Sequence, residues 1–132
     1  MTAEDLKEAL KFEARKIKEY RERIEHLRDG AVLSRGVAVV PARGSAGGDK
    51  VSWAVGEIDR LEKLMQAHID RVCTFTVLCN NPEQREVIRL RYIEGLRIWK
   101  DVADASGYSM RNTQYIHDSA IALICEKMQT LL

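Results

Sequence analysis

The chain has 132 residues, and its 21 lysine and arginine side chains against 20 aspartates and glutamates leave a formal net charge of +1. This length fits one domain, or a small domain with an extension, and argues against a multidomain enzyme. The charge balance excludes the strongly basic character of many proteins that bind nucleic acids or membrane surfaces. With only 8 glycines and 2 prolines, the composition also excludes disordered or collagen-like structure for most of the chain.

The cysteines and the apolar content indicate the compartment. Cys73, Cys79 and Cys125 are too few and too scattered for a disulfide framework, and their odd number favours a reducing compartment. The polar, acidic opening of the chain lacks the apolar core of a signal peptide. No stretch approaches the ~20 apolar residues that cross a bilayer. We therefore expect a soluble, cytoplasmic protein with no membrane partner.

The first segment, about residues 2–29, predicts one long helix. Thr2 and Asp5 resemble a capping box at its start. Apolar residues then recur with coiled-coil spacing, in a stripe that Glu13 interrupts: Leu6, Leu10, Ile17, Tyr20, Ile24 and Leu27. Most other positions are charged, with both signs intermixed, which is typical of a solvent-exposed face.

Residues 30–50 predict a flexible, glycine-rich loop, since five of the eight glycines lie here. The apolar runs at residues 31–33 and 37–40 leave open a short β-hairpin inside this segment. The glycines do not match a phosphate-binding loop, because no Gly-Lys-Ser/Thr sequence follows them.

A second long helix is predicted from about Asp49 to Cys79. Its seam residues repeat every seven positions in two series: Val51, Ile58, Met65, Val72 and Cys79, and Ala54, Leu61, His68 and Phe75. Two helices with the same periodicity, joined by a loop, predict a long antiparallel, coiled-coil-like hairpin over residues 1–79. His68, on the inner side of this helix, is expected to be a core histidine rather than a metal ligand.

Further apolar residues lie beside these two series and widen the apolar stripe of the second helix: Val55, Leu64, Ile69 and Leu78. A wider apolar stripe needs cover from either the C-terminal region or a second chain. A homodimer formed through the hairpin is therefore one of the two expected outcomes.

The remaining residues, 80–132, predict a helix-turn-helix domain, which makes the whole chain all-α. Its parts in chain order are a helix from Pro82 to Glu94 closed by Gly95, a short helix over residues 98–106, a Gly107-Tyr108 turn, and a helix that Ser109 caps and that reaches about residue 127. A short helix, a glycine turn and a capped second helix are typical of the helix-turn-helix. One side of the last helix is expected to face the core: Thr113, Ile116, Ala120 and Ile124.

This layout places the N-terminal residues of the second helix in the DNA major groove. The candidate DNA-contacting residues are Ser109, Arg111, Asn112, Gln114 and Tyr115 in that helix, with Arg97 and Lys100 at the start of the first. Arginine can donate two hydrogen bonds to guanine, and asparagine or glutamine can bond adenine twice. The hydroxyls of Ser109 and Tyr115 can bond phosphate, and Arg97 and Lys100 can contact the DNA backbone.

Several motifs of this region resemble region 4 of the primary sigma factors of bacterial transcription. They are Arg85-Glu86-Val87, Leu90-Arg91-Tyr92-Ile93-Glu94-Gly95, Trp99, Val102-Ala103, Gly107-Tyr108-Ser109 and Ala120-Ile121. The chain is more similar still to small phage and prophage proteins, the ArpU- and RinA-like late-gene transcription regulators. That likeness lies in Trp99 to Ala103, the Gly-Tyr-Ser turn, and Arg111 through Ile116-His117.

The resemblance implies a sequence-specific transcription regulator that binds double-stranded DNA through a sigma-like helix-turn-helix. It also implies RNA polymerase as a second partner and a charged N-terminal helix ahead of the DNA-binding motif. Where sigma-type domains commonly have Thr-Val, this chain has Asn112-Thr113, so a half-polar residue occupies a core position.

The charge of the C-terminal region opposes strong DNA binding by a single chain. Residues 83–127 contain seven basic and seven acidic side chains, and Asp118 lies one turn beyond Tyr115. Non-specific affinity for DNA comes mainly from neutralised phosphates, so a neutral domain gains little of it. We therefore expect the affinity to come from dimerisation or from docking to RNA polymerase.

Two other classes of protein share parts of this pattern. The small subunit of a phage DNA-packaging terminase also joins a helix-turn-helix to a helical assembly region, but it forms rings, which light scattering would detect. A protein-interaction module would use the helix-turn-helix without touching DNA. The sequence contains no nucleophile–base pair, no metal-ligand set and no cofactor motif, so we expect neither catalysis nor a cofactor.

Overall fold

A computed structural model describes residues 1–37 and 44–131, and it describes side chains over 1–30 and 51–131. All of its elements are helical: α1 (Ala3–Val37), α2 (Gly44–Thr76), α3 (Pro82–Ile88) continued by a π-helical turn (Arg89–Ile93), α4 (Trp99–Ser106) and α5 (Met110–Leu131). No strand occurs within the described ranges. The prediction of an all-α protein is confirmed.

The start of α1 confirms the predicted capping box. The Thr2 hydroxyl accepts a hydrogen bond from the Asp5 backbone N–H at 3.2 Å, and the Asp5 carboxylate accepts one from the Thr2 N–H at 3.1 Å. These bonds satisfy backbone donors that the first turn of a helix leaves unpaired. They also lower the pKa of Asp5, with the backbone hydrogen bond from Thr2 as the largest cause.

The two long helices extend further into the glycine-rich segment than predicted. Backbone hydrogen bonding continues α1 to Val37 and begins α2 at Gly44, so the loop predicted over residues 30–50 is wrong at both of its ends. The β-strand considered at residues 31–33 is wrong for the same reason. Extending an existing helix gains one hydrogen bond per residue fixed, which lets it continue past an isolated glycine such as Gly30. Residues 38–43 lie outside the described residues, so their flexibility stays a prediction.

The described chain divides into two compact units. One unit contains Met1–Ile17 and His68–Leu132, and the other contains Lys18–Ala67. The domain boundary predicted between residues 79 and 80 lies inside the first unit. Since a compact unit need not coincide with a functional domain, that division stays a prediction.

The unit formed by Lys18–Ala67 is held by an apolar seam bordered by ion pairs. Ile24, Ala54 and Leu61 are buried. Two charged pairs join α1 to α2 here, Arg28 with Glu62 at 2.6 Å and Arg23 with Glu57 at 4.0 Å. Because exposed ion pairs contribute only ~0–1 kcal/mol each, the apolar seam dominates the stability of this unit.

In the other unit, Glu13 interrupts the apolar stripe without being left unpaired. Its carboxylate lies 2.5 Å from Nδ1 of His68 and 3.7 Å from the guanidinium of Arg71. Leu10 and Ile17, one turn on either side, are fully buried. A buried carboxylate is tolerated only where it is paired, and His68 provides that pairing. The prediction that His68 is a core histidine is confirmed.

The helices after α2 share a small apolar core of Val87, Leu90 and Val102, against which Trp99 and Ile116 pack. Asn81 caps α3, with its side-chain oxygen accepting from the Gln84 N–H at 3.0 Å. Pro82 follows at the first helical position, where its missing N–H costs nothing.

Candidate nucleic-acid interface

The connection between α4 and α5 has the turn chemistry that the sequence predicts. Gly107 ends α4 in the left-handed region with φ +83°, and its N–H donates to the Ala103 carbonyl at 2.9 Å. Ser109 begins α5, its hydroxyl accepting from the Asn112 N–H at 3.1 Å. Only glycine adopts that φ without strain, and serine is among the preferred N-caps. The predicted turn at Gly107 and the predicted N-cap at Ser109 are confirmed.

The inward side of α5 is close to the predicted one. Thr113, Ala120 and Ile124 are fully buried, whereas Ile116 is half-buried. The Thr113 hydroxyl donates to the Met110 carbonyl at 2.7 Å, which satisfies the half-polar side chain in this core position.

The outward side of α5 contains the predicted contact residues. Arg111, Asn112, Gln114 and Tyr115 are exposed, Tyr115 by 71%. Their side chains form no hydrogen bond or ion pair with any other residue that the structure describes. At 3.6 residues per turn, Arg111, Gln114 and Tyr115 share one face, and Asn112 lies about 100° around the helix from Arg111. These polar groups are available to a ligand.

The basic side chains of residues 83–127 fall into two groups. Four of the seven are bonded internally: Arg85 to the Cys79 carbonyl, Arg89 to Glu86 and Glu94, Arg91 to the Arg97 carbonyl, and Lys127 to Asn80. The other three are exposed, and no bond within the described ranges involves their side chains: Arg97, Lys100 and Arg111. These three are the cationic residues that the sequence analysis selected for DNA contact.

A buried polar cluster lies behind the exposed face of α5. Nε2 of His117 is 2.6 Å from the Tyr92 hydroxyl, and the Trp99 ring packs edge-on against the imidazole with centroids 5.1 Å apart. The Arg91 guanidinium stacks on Trp99 at 3.9 Å and donates to the Arg97 carbonyl at 2.6 Å. The cluster thereby connects α5 to the π-helical turn and to the start of α4.

The electrostatics of the cluster determine its protonation. Burial lowers the pKa of His117, although its hydrogen bond to Asp118 acts in the opposite direction. Burial likewise raises the pKa of Tyr92. The neutral ring therefore accepts from the Tyr92 hydroxyl at Nε2 and donates from Nδ1 to the Asp118 carboxylate, 3.1 Å away.

The buried role of His117 is not among the predictions from the sequence. The predicted inner side of α5 includes Ile116, whereas the buried series is Thr113, His117, Ala120 and Ile124. Their spacing of four, three and four residues is helical, and that spacing was the available signal. The partner Tyr92 is 25 residues away, and no pattern in the sequence connects the two.

Two further features of the described residues concern ligands and membranes. No three His, Cys, Asp or Glu side chains in these ranges are grouped so that they could hold a metal ion. None of the described helices combines the length and the apolar composition needed to cross a membrane.

Comparison of the chain with known protein families, with curated proteins and with solved structures found no match. The resemblance to sigma region 4 and to the phage regulators therefore stays a prediction based on the residues quoted above.

Two glycines provide a matched test of the α4–α5 turn. We expect Gly107→Ala to lower the free energy of unfolding by about 1–2 kcal/mol, because an L-residue is strained at positive φ. Gly56 lies inside α2, and an added Cβ there would meet no atom within 4 Å. Gly56→Ala should therefore raise the free energy of unfolding by about 0.5–1 kcal/mol. Urea denaturation measures both changes. An unchanged free energy of unfolding in Gly107→Ala would contradict the turn geometry.

The buried imidazole predicts a loss of stability on acidification. Burial is the largest influence on the pKa of His117, followed by Asp118, Arg91 and Lys7. The Tyr92 hydroxyl faces the ring at Nε2. An unfolded histidine takes up a proton near pH 6.5, whereas folded His117 takes it up only at lower pH. At pH values between the folded and the unfolded pKa of this histidine, the unfolded state holds more protons than the folded state. The stability that neutral His117 contributes is therefore fully present above the unfolded pKa and is lost as the pH falls through the folded pKa.

Urea denaturation at neutral and at mildly acidic pH checks this prediction. The fall in unfolding free energy between the two should be smaller in His117→Gln, which has no titrating group at this position. The same fall in both proteins would show that other residues cause it.

Proposed function

We propose that the protein is a sequence-specific, DNA-binding transcription regulator of phage or prophage type. In this proposal α4 and α5 act as a helix-turn-helix of the sigma region 4 kind, and α5 enters the major groove of double-stranded DNA. The observation that carries the proposal is the group of uncommitted cations. Among seven basic side chains in residues 83–127, the three without an internal partner are Arg97, Lys100 and Arg111.

The exposed face of α5 has the chemistry of direct base readout. Arg111 presents donors that match the two major-groove acceptors of guanine. Asn112 and Gln114 each present a donor beside an acceptor, as adenine requires. Tyr115 and the hydroxyl of Ser109 fit phosphate oxygens, whose contacts set the position of a protein on DNA.

The contacts between α1 and α2 support the second part of the proposal, an antiparallel helical hairpin. Glu13 pairs with His68, and the two lie equally many residues from Val37 and Gly44, where α1 ends and α2 begins. Arg23 and Glu57 lie almost equally far from the same two ends. Residues equidistant from a short connection approach each other only if the helices run in opposite directions.

We assign to this hairpin the role of setting the oligomeric state or of contacting RNA polymerase. Trp53 and Leu64 lie on the same side of α2, eleven residues apart, and remain 64% and 37% exposed, although both are apolar. Exposed apolar residues on one helix are suited to contact with a second chain. A dimer would also double the phosphate contacts that a neutral domain makes.

One observation favours a second candidate, a helix-turn-helix that binds protein only. Ile98 before α4 and Met110 at the start of α5 are 63% and 48% exposed. Large apolar side chains beside the candidate residues suit a protein partner as well as a DNA groove. Binding to DNA distinguishes these candidates.

Selection of bound fragments from genomic DNA with the purified full chain, at two salt concentrations, tests the proposal. We expect an enriched motif, and Arg111→Ala should weaken binding to it by ~1–3 kcal/mol if that side chain reads a base. Arg15→Ala removes the same charge from an exposed position on α1 and serves as the control. Bound fragments without a shared motif, or equal weakening by Arg15→Ala, would indicate only attraction to the DNA backbone. No binding to DNA would favour a protein-binding module.

A further inference from the structure

Asp118 extends the exposed face of α5 by a further turn. Arg111, Gln114, Tyr115 and Asp118 follow one another at spacings of three, one and three residues, and all are exposed. The same spacing occurs among base-contacting residues of the homeodomain recognition helix. The charge of Asp118 repels phosphate, but its place in this series makes it a fourth residue that faces the groove if α5 enters it.

The carboxylate of Asp118 is fixed and is not neutralised. One oxygen, Oδ1, accepts from Nδ1 of His117 at 3.1 Å. The imidazole is itself buried and bonded to the Tyr92 hydroxyl, so it cannot follow a moving partner. No lysine or arginine of the described ranges forms an ion pair with Asp118, although its side chain is 69% exposed. A surface carboxylate normally rotates freely, whereas this one is oriented by a group in the core.

A carboxylate with one free oxygen selects among the four bases. It can only accept hydrogen bonds, so it needs a donor at the base edge. In the major groove guanine and the oxygen of thymine present acceptors, and adenine presents its donor beside the acceptor N7. Cytosine presents a donor, N4, and is the base to which aspartate is suited.

We infer that Asp118 is a specificity-determining residue that accepts a hydrogen bond from N4 of a cytosine, and that His117 is the positioning residue that orients it. The inference rests on the proposed function and adds one base to what the site recognises. It also assigns a use to the buried histidine, which links the core of the domain to the outer face of α5.

The test is selection from random double-stranded DNA with the full chain and with two variants of Asp118. The unaltered protein should prefer cytosine at one position of its motif by about tenfold or more over the other bases. Asp118→Ala should abolish the preference at that position only. In Asp118→Asn, His117 donates to the amide oxygen and the free amide nitrogen only donates, so the preference should change to a base that presents an acceptor, guanine or thymine.

Two variants of His117 test the positioning role. The amide nitrogen of His117→Asn lies near the place of Nδ1, so this variant should keep the donor to Asp118 and the cytosine preference. The amide of His117→Gln reaches toward Tyr92, so this variant should lose the preference at that one position. A merely structural role would change the binding of all sequences together, and circular dichroism checks that both variants fold.

The outcomes separate the inference from the proposed function. If the unaltered protein enriches no motif, both fail. If it enriches a motif that Asp118→Asn and Asp118→Ala leave unchanged, the role of Asp118 is wrong while the proposed function stands. If Asp118→Asn and Asp118→Ala bind every sequence more tightly, and to the same extent, the carboxylate acts only by repelling phosphate. That result also overturns the inference.

Discussion

The rotation of α5 about its own axis depends on one buried imidazole. A polar ring taken out of water must have both nitrogens paired, because an unpaired buried donor or acceptor costs about 1–3 kcal/mol. His117 meets this requirement with Tyr92 on one side and Asp118 on the other. The bond to Asp118 lies within α5 and is independent of its rotation, whereas the bond to Tyr92 forms only at the rotation that also buries Thr113 and Ile124. The outward direction of Arg111 and Tyr115 is therefore a consequence of how the interior is paired.

Internal pairing also determines which charges face solvent without a partner. Arg91 stacks on Trp99 and bonds the Arg97 carbonyl, so it fixes the segment that leads into α4 and is not available to a ligand. Arg89 is bonded on both sides by carboxylates, which raises its pKa, the hydrogen bond to Glu86 being the largest cause. The basic side chains of residues 83–127 thus include some that are bonded within the protein and a few that are not. The net charge of these residues does not distinguish the two groups.

The local features of the fold could be predicted because neighbouring residues determine them. Caps at Thr2 and Ser109 and the positive φ of Gly107 each depend on a few adjacent residues. Pairings across the chain could not be predicted, since Glu13 with His68 and Tyr92 with His117 leave no mark in any short window. The glycine content of residues 30–50 predicts a longer loop than the structure has, because extending an existing helix past a glycine costs little.

The few uncommitted cations limit how a DNA-binding chain of this kind could work. If Arg111 reads a base while Arg97 and Lys100 each neutralise one phosphate, the electrostatic part of the affinity falls only about 12-fold between 50 and 200 mM salt. Proteins with six to ten phosphate contacts lose about 10³–10⁵ over the same range. A single chain would then depend on base contacts for most of its affinity, and Asp118 adds repulsion at every site without a matching donor. Under the proposed function, weak attraction and an oriented carboxylate would favour discrimination over tight binding, and a second chain or RNA polymerase would have to supply the remaining affinity.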